Sequence, residues 1–252
     1  MDLKVISFNI RCTNDPDGHS IKERAPRVLS ILKKYNPDLI GLQEYTPLWE
    51  EYIPSGLPEY QMLLKYRNVT EWAEGGPILW KKDRFELVKS GYFWYSDTPK
   101  NESRGWCSCG CYRICTYVIL REISSGECVT FMNTHVGFGD DGQVKSARLT
   151  TEYRDRISTY PTFITGDFNM MKDAPAYAIM TEFWNDANAL TLGYDGPTYH
   201  GYNPPKHAED NPIDFCFPDK RTIPISFKIL DETFDRKFPS DHYGFLAELK
   251  TV

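Results

Sequence analysis

The chain has no run of about 18 uncharged apolar residues, so no segment is built to cross a membrane as a helix. It has no internal repeat, no low-complexity tract and no charged tail, and no sustained period of the kind that collagen or a coiled coil needs. It also has no excess of positive charge, because 29 basic residues against 35 acidic ones leave a formal −6. That argues against a broad cationic face wrapped on duplex nucleic acid, while a local basic cleft stays open. A disulfide framework is missing too. The seven cysteines (Cys12, Cys107, Cys109, Cys111, Cys115, Cys128 and Cys216) are odd in number. No signal peptide precedes the first strand-like run at Leu3. Reduced thiols in a cytoplasmic protein are the expected state; a secreted protein whose signal had been removed is the other reading. The spacing Cys107-Ser108-Cys109-Gly110-Cys111, with Cys115 beyond, fits no structural zinc pattern, where paired ligands stand two to four residues apart. These thiols are expected to lie free in a loop.

What is present is the material of a large core. Of 252 residues, 41% are hydrophobic and 14% aromatic, and the 17 Pro and 17 Gly are scattered without a linker-like concentration. One domain over 1–252 is expected. Short β-rich runs read as strands at Leu3–Ile10, Leu39–Gln43, Gly76–Lys81, Glu86–Tyr95, Ile114–Glu122, Val129–His135, Thr162–Asp167, Ile213–Phe217 and Tyr243–Leu249. Helical patterns cover Ile21–Tyr35, stopped by Asn36-Pro37, then Val144–Thr159, and Ala174–Phe183 with Pro175 near its start. The mixture predicts α/β layers rather than a strict βαβ repeat.

Polar residues gather where these strands end. Asn9 closes Val-Ile-Ser-Phe-Asn, Glu44 closes Ile-Gly-Leu-Gln-Glu, and His135 closes Met-Asn-Thr-His. Asp167 and Asn169 close Thr-Gly-Asp-Phe-Asn, and Asp241 and His242 precede the last strand. One Asn or Asp at a strand end is an ordinary turn residue. Five such ends, each offering a metal ligand or a proton-transfer group on a rigid element, point to a site at the mouth of a sheet. Oxygen ligands such as Glu44 and Asn9 suit Mg²⁺ or Mn²⁺, which bind through few carboxylates plus substrate phosphate. Hydrolysis of a phosphoester needs a group to activate water, donors for the phosphoryl oxygens and a charge sink. Asp167 can be the base, Asn169 and His135 the donors, and Asp214 a carboxylate that keeps His242 protonated.

At these residues the chain resembles the endonuclease/exonuclease/phosphatase superfamily, the DNase I-like fold. The segments are Ser7-Phe8-Asn9-Ile10-Arg11, Leu42-Gln43-Glu44, Asn133-Thr134-His135, Thr165-Gly166-Asp167-Phe168-Asn169, Ile213-Asp214-Phe215 and Ser240-Asp241-His242, in the family's order. The resemblance implies a four-layer α/β/β/α sandwich and a Mg²⁺-dependent phosphoester hydrolase. It implies Glu44 as main metal ligand, with Asn9 and Asp241 at the metal site, and His135 and His242 on the phosphoryl oxygens. Asp167 would activate water, Asn169 would bind the phosphoryl group, and Asp214 would orient His242. Arg113 would sit near phosphate as substrate-binding residue, and His200, in Thr198-Tyr199-His200-Gly201, at the pocket rim.

The chain also departs from the pattern. Arg11 stands where the DNA-repair nucleases of the family carry an acidic second metal ligand, and no Asn-x-Tyr-x-Pro segment occurs. Both points argue against abasic-site repair. The loop Ser103-Arg104-Gly105-Trp106 is similar to the Gly-Trp loop of bacterial members, but Cys107 replaces the usual Asp and Tyr112 the usual Pro. Trp72, Trp94, Tyr95, Trp106 and Tyr199 are candidate stacking groups, most of them better read as core. The expected substrate is a small phosphorylated molecule or a short nucleic acid, with no obligate protein partner. A nuclease on RNA or DNA is the alternative, and a non-catalytic binding module is opposed by the complete residue set.

Overall fold

The computed structural model describes residues 1–69, 73–203 and 211–252. In chain order the elements are β1 (Asp2–Asn9), α1 (Ile21–Tyr35), β2 (Leu39–Gln43), a 3₁₀ turn (Pro47–Trp49), α2 (Ile53–Gly56), β3 (Tyr60–Leu63), β4 (Ile78–Lys81), β5 (Phe85–Trp94), β6 (Ile114–Glu122), β7 (Cys128–His135), α3 (Asp140–Ile157), β8 (Thr162–Asp167), α4 (Pro175–Phe183), β9 (Asp214–Pro218), β10 (Thr222–Leu230) and β11 (Gly244–Thr251). They form a six-stranded sheet ordered β10-β11-β1-β2-β4-β3 and a five-stranded sheet ordered β5-β6-β7-β8-β9.

The alternation of side chains along each strand explains why the sheets stack. In β1, Leu3 and Val5 point one way and join Leu39, Val118, Phe131, Phe163 and Phe245 in a core between the sheets. Ile6 and Phe8 point the other way, to Ala25, Val28, Ile31 and Leu32 of α1. The second sheet repeats this outward, with Met132, Ile164 and Phe215 packed on Ala147 of α3 and on Ala176 and Met180 of α4. The result is the expected α/β/β/α order. Strands buried on both faces read as continuous apolar runs, which is how their sequences look.

One polar network interrupts the apolar layer between the sheets. Gln43 Nε2 donates to Asn133 Oδ1 at 2.7 Å and to Ser7 Oγ at 3.1 Å, and Asn133 Nδ2 donates to Leu42 O at 2.8 Å. It lies one residue before Glu44 and two residues before Asn9 on one sheet, and two residues before His135 on the other. Gly41 makes room for it, since a Cβ there would stand 2.6 Å from Asn133 Oδ1. Asn133, bonded through both of its amide atoms to the other sheet, fixes one relative placement of the two sheets.

α1 begins as its sequence reads, with a capping box in which Ser20 and Glu23 satisfy each other's backbone. α3 begins at Asp140, earlier than the apolar periodicity at Val144, because Asp140 and Asp141 suit the first turn's dipole without marking an apolar face. The expectation that every thiol is free is corrected: Cys107 and Cys109 form a disulfide, their Cα atoms 5.3 Å apart, while Cys12, Cys111, Cys115, Cys128 and Cys216 are free. The Cys111 sulfur belongs to the same group, within 4.8 Å. Cys115 is buried in the core of the second sheet, away from that group. Among the described residues no helix is long and apolar enough to cross a membrane.

Candidate active site

Strand register assembles the site. β7 and β8 run parallel with His135 opposite Asp167, and β8 and β9 pair with Asp167 opposite Asp214. Residues directly opposite share a face, so the three side chains form one row across three strands. On the other sheet β1 and β2 run parallel with Asn9 opposite Gln43, which leaves Glu44 just past the strand end. Ligand sites form outside the carboxyl ends of parallel strands, and here two such ends face each other.

The backbone leaves each end abruptly. Arg11, Glu44 and Asn169 all adopt left-handed conformations, with φ of 63°, 58° and 48°. Such residues cost about 1–3 kcal/mol each and persist where the surroundings fix them. Gly166, before Asp167, cannot be replaced without a clash, because a Cβ would lie 2.1 Å from Thr134 O on the neighbouring strand. The loop after β1 is held by the fully buried Arg24, which donates to the carbonyls of His19, Ile10, Arg11 and Thr13.

The Asn9 amide joins the two sheets. Its Nδ2 donates to Asp167 Oδ2 at 3.0 Å and to Glu44 Oε1 at 3.2 Å, while Oδ1 accepts from Arg11 N at 3.1 Å. Burial pushes the Glu44 carboxyl up, but hydrogen bonds from Cys12, the nearby His242 and Asn9 outweigh it, and Glu44 stays ionised below its ordinary range. Asp167 goes the other way. It is 2% exposed, and burial together with the facing Asp214 raises it to about 7 despite His242. Its Oδ1 accepts from Asn169 N at 2.9 Å. Burial lowers His242, yet the Asp214 carboxylate at 2.9 Å from Nδ1, with Asp167 and Asp241, raises it to about 10. The ring is therefore a cation whose Nε2 lies 3.8 Å from Asp167 Oδ2. His135, with Nε2 3.4 Å from the same oxygen, is pushed far below its ordinary value by burial and by Arg113, Arg67 and His242, so it is neutral.

These groups open on a cleft of about 480 Å³. Of the residues singled out from the sequence, Glu44, Arg113, His135, Asp167, Asn169, Asp241 and His242 line it. Asn9 and Asp214 stand behind them, bonded to Asp167 and His242. His200 does not line it; its ring packs on Phe238 and Tyr243, and its backbone NH donates to Asp241 O, so it braces the Asp241 loop. Of the aromatic candidates among the described residues, only Tyr199 reaches the cleft, half-exposed, with its ring edge-on to His242 at 5.1 Å. Trp94 and Tyr95 are buried, Trp106 bonds Asp97, and Trp72 lies outside the described residues.

Arg67, Glu74 and Phe138 also line the cleft and were not visible in the sequence. Arg67 and Glu74 form an ion pair. They arrive through Gly75, which pairs with Tyr45 just after Glu44, and no local periodicity announces that pairing.

The donor set suits a hard divalent cation. Glu44 offers an ionised carboxylate to the cleft, the kind of donor that Mg²⁺ or Mn²⁺ prefers. Asn9 would have to turn its amide over to present oxygen, and Asp241 Oδ2 faces the Arg11 guanidinium at 3.5 Å. Carboxylate and ring atoms of Asp167, Asp214 and His242 lie within 4.8 Å of one another, but the protonated His242 already serves there as the cation and has no lone pair to give.

Proton-transfer groups delivered by the ends of paired strands from two stacked sheets define a DNase I-like hydrolase, and the chain belongs to the Endonuclease/Exonuclease/phosphatase family, whose model matches residues 6–242. Among solved structures it is similar to a family member from Bacteroides vulgatus, at 29% identity over 100% of both chains and a TM-score of 0.90. A family protein from Bacteroides thetaiotaomicron gives 26% identity over 99% of this chain and 97% of that one, with a TM-score of 0.91. A mannosyl-6-phosphatase from the same organism gives 25%, over 98% and 99%, with a TM-score of 0.88. No curated protein matches the chain.

Proposed function

We propose that the chain is a Mg²⁺- or Mn²⁺-dependent phosphoester hydrolase acting on a small phosphorylated substrate. The observation that carries this reading is Asp167, buried among Asn9, His135, Asp214 and His242 and raised to about 7. A general base is most effective when it titrates near the working pH. Asp167 takes a proton from water, whose oxygen attacks phosphorus as the phosphorus–ester oxygen bond breaks, and the departing alkoxide leaves as the alcohol with a proton from solvent. The His242 cation and the Asn169 amide donate to the phosphoryl oxygens, neutral His135 donates through its N–H, and Asp214 holds His242 charged. A divalent cation at Glu44, with Asp241 nearby, would supply charge for the phosphoryl and leaving oxygens. Likeness to a mannosyl-6-phosphatase favours a sugar-like phosphate. The exposed Phe138 and Tyr199 at the cleft favour a short nucleotide as the second reading, since either ring can stack on a base. The test is a Mg²⁺ screen that sets sugar phosphates, inositol phosphates, nucleotides, single-stranded RNA and abasic DNA side by side, with chelation by EDTA and refilling. Release of phosphate that stops with EDTA and returns with Mg²⁺ is expected. Release that only zinc restores would refute the oxygen-ligand site.

A further inference from the structure

Beside the row of strand-end residues the cleft holds a second charged group with its own support. Arg67 is fixed at both backbone atoms: its N donates to Glu74 O at 2.9 Å and its O accepts from Trp94 Nε1 at 2.8 Å. Gly75 N donates to Tyr45 O at 2.6 Å, which ties this segment to the residue after Glu44. The Arg67 side chain is ion-paired with Glu74, both largely buried. Arg113 differs. It is 5% exposed, its Nε and Nη1 have no hydrogen-bond partner, and it has no ion pair among the described residues. Burial and the like charge of Arg67 work against its protonation, with Glu74 and Asp167 acting in its favour. Burying guanidinium N–H donors without partners is strongly unfavourable. An arginine fork kept in that state is one that a ligand anion completes.

The shape of this end limits the anion. Arg67, Arg113 and His135 share with Glu44, Glu74 and Gly76 a recess of only about 10 Å³. That holds one water. A phosphoryl group can turn bare oxygens towards it, but a second ester substituent has no room there. A monoester dianion brings three non-bridging oxygens and two charges; a diester brings two oxygens and one charge.

Resting on the hydrolase reading above, we propose that Arg113 and Arg67, the latter held by Glu74, form a subsite for a terminal dianionic phosphoryl group, and that the substrates are phosphomonoesters. Arg113 receives the phosphoryl oxygens on its free fork. Arg67, already paired with Glu74, adds N–H donors for the third non-bridging oxygen that a monoester has and a diester lacks.

Calorimetric titration of the Mg²⁺-loaded protein with inorganic phosphate and with dimethyl phosphate tests the subsite without turnover. Phosphate should bind at least about tenfold tighter, and Arg67→Gln should weaken phosphate by ~10–100-fold, the size of one lost charge-assisted contact, while changing dimethyl phosphate much less. In parallel, p-nitrophenyl phosphate and methyl p-nitrophenyl phosphate are compared as substrates; Arg67→Gln should cut kcat/KM for the monoester by a similar factor and shrink its preference over the diester. Equal affinities for the two anions in the wild type overturn the inference even if the variant folds poorly, as does an equal loss on both in Arg67→Gln. Hydrolysis of neither ester, whatever binds, overturns the hydrolase reading and the inference with it.

Discussion

Glu44 and Asp167 stand at the ends of strands from opposite sheets and share one Asn9 amide, yet their surroundings drive them apart. Glu44 accepts the Cys12 backbone NH and has Arg11 3.9 Å away, so it stays ionised. Asp167 is sealed in, faces Asp214 and titrates near neutrality. Two carboxylates held in unlike environments can take unlike roles: here a permanent anion for a cation, and a base that can gain and lose a proton. On the proposed reading, Glu44 on the first sheet would supply charge and Asp167 on the second would supply proton transfer.

The largest effect should follow from removing the second sheet's carboxylate. Asp167→Asn should lower kcat by ~10³-fold or more at any Mg²⁺ concentration, with thermal unfolding showing an intact fold. Asp214→Asn should cost ~10–100-fold, the range for a supporting partner, and should bring the alkaline loss of activity to lower pH, because His242 then lacks its main counter-charge. A pH–rate profile that does not move would remove Asp214 from this role. Glu44→Gln should act on the other half. It should raise the Mg²⁺ concentration needed for half-maximal rate on the order of tenfold, read from metal titrations of initial rate.

The pH dependence separates the halves again. Activity should rise through about pH 7 as Asp167 loses its proton, and fall as His242 loses its own near 10. Stability has its own signs. His242 rises on folding from 6.5 to about 10, so its contribution is complete below 6.5 and lost as pH climbs through about 10. Asp167 rises from 3.8 to about 7, so folding favours its protonated form; the native state loses stability between those values, and Asp167→Asn should remove that loss. Denaturant titrations at several pH values check both. The smallest effect belongs to the disulfide. The Cys107–Cys109 bond closes so short a loop that reducing it should change activity less than about twofold, while alkylation under denaturing conditions should label five thiols before reduction and seven after.

The strand-end residues were legible because strands announce themselves by composition, and strand register then brings their ends together without further information. Thus Ile114–Glu122 and Thr162–Asp167 are found where the sequence places them. β10 was not legible. It contains Pro224, is irregular between Pro224 and Ser226, and runs at a sheet edge, where proline is tolerated and alternation is weak. β3 has four residues at the other edge, too few to show a period. Arg67 and Glu74 were invisible because no strand carries them; long-range pairing of Gly75 with Tyr45 delivers them to the cleft. His200 was singled out by its motif, but its position is set by packing on Phe238 and Tyr243, which no local pattern encodes.

The division of labour between the two carboxylates is tested most directly by one titration: initial hydrolysis rates of Glu44→Gln and Asp167→Asn against Mg²⁺ from trace to saturating concentrations. The account predicts that high Mg²⁺ returns Glu44→Gln towards the wild-type rate and leaves Asp167→Asn inactive throughout. Recovery of Asp167→Asn by metal, with Glu44→Gln beyond rescue, would contradict it.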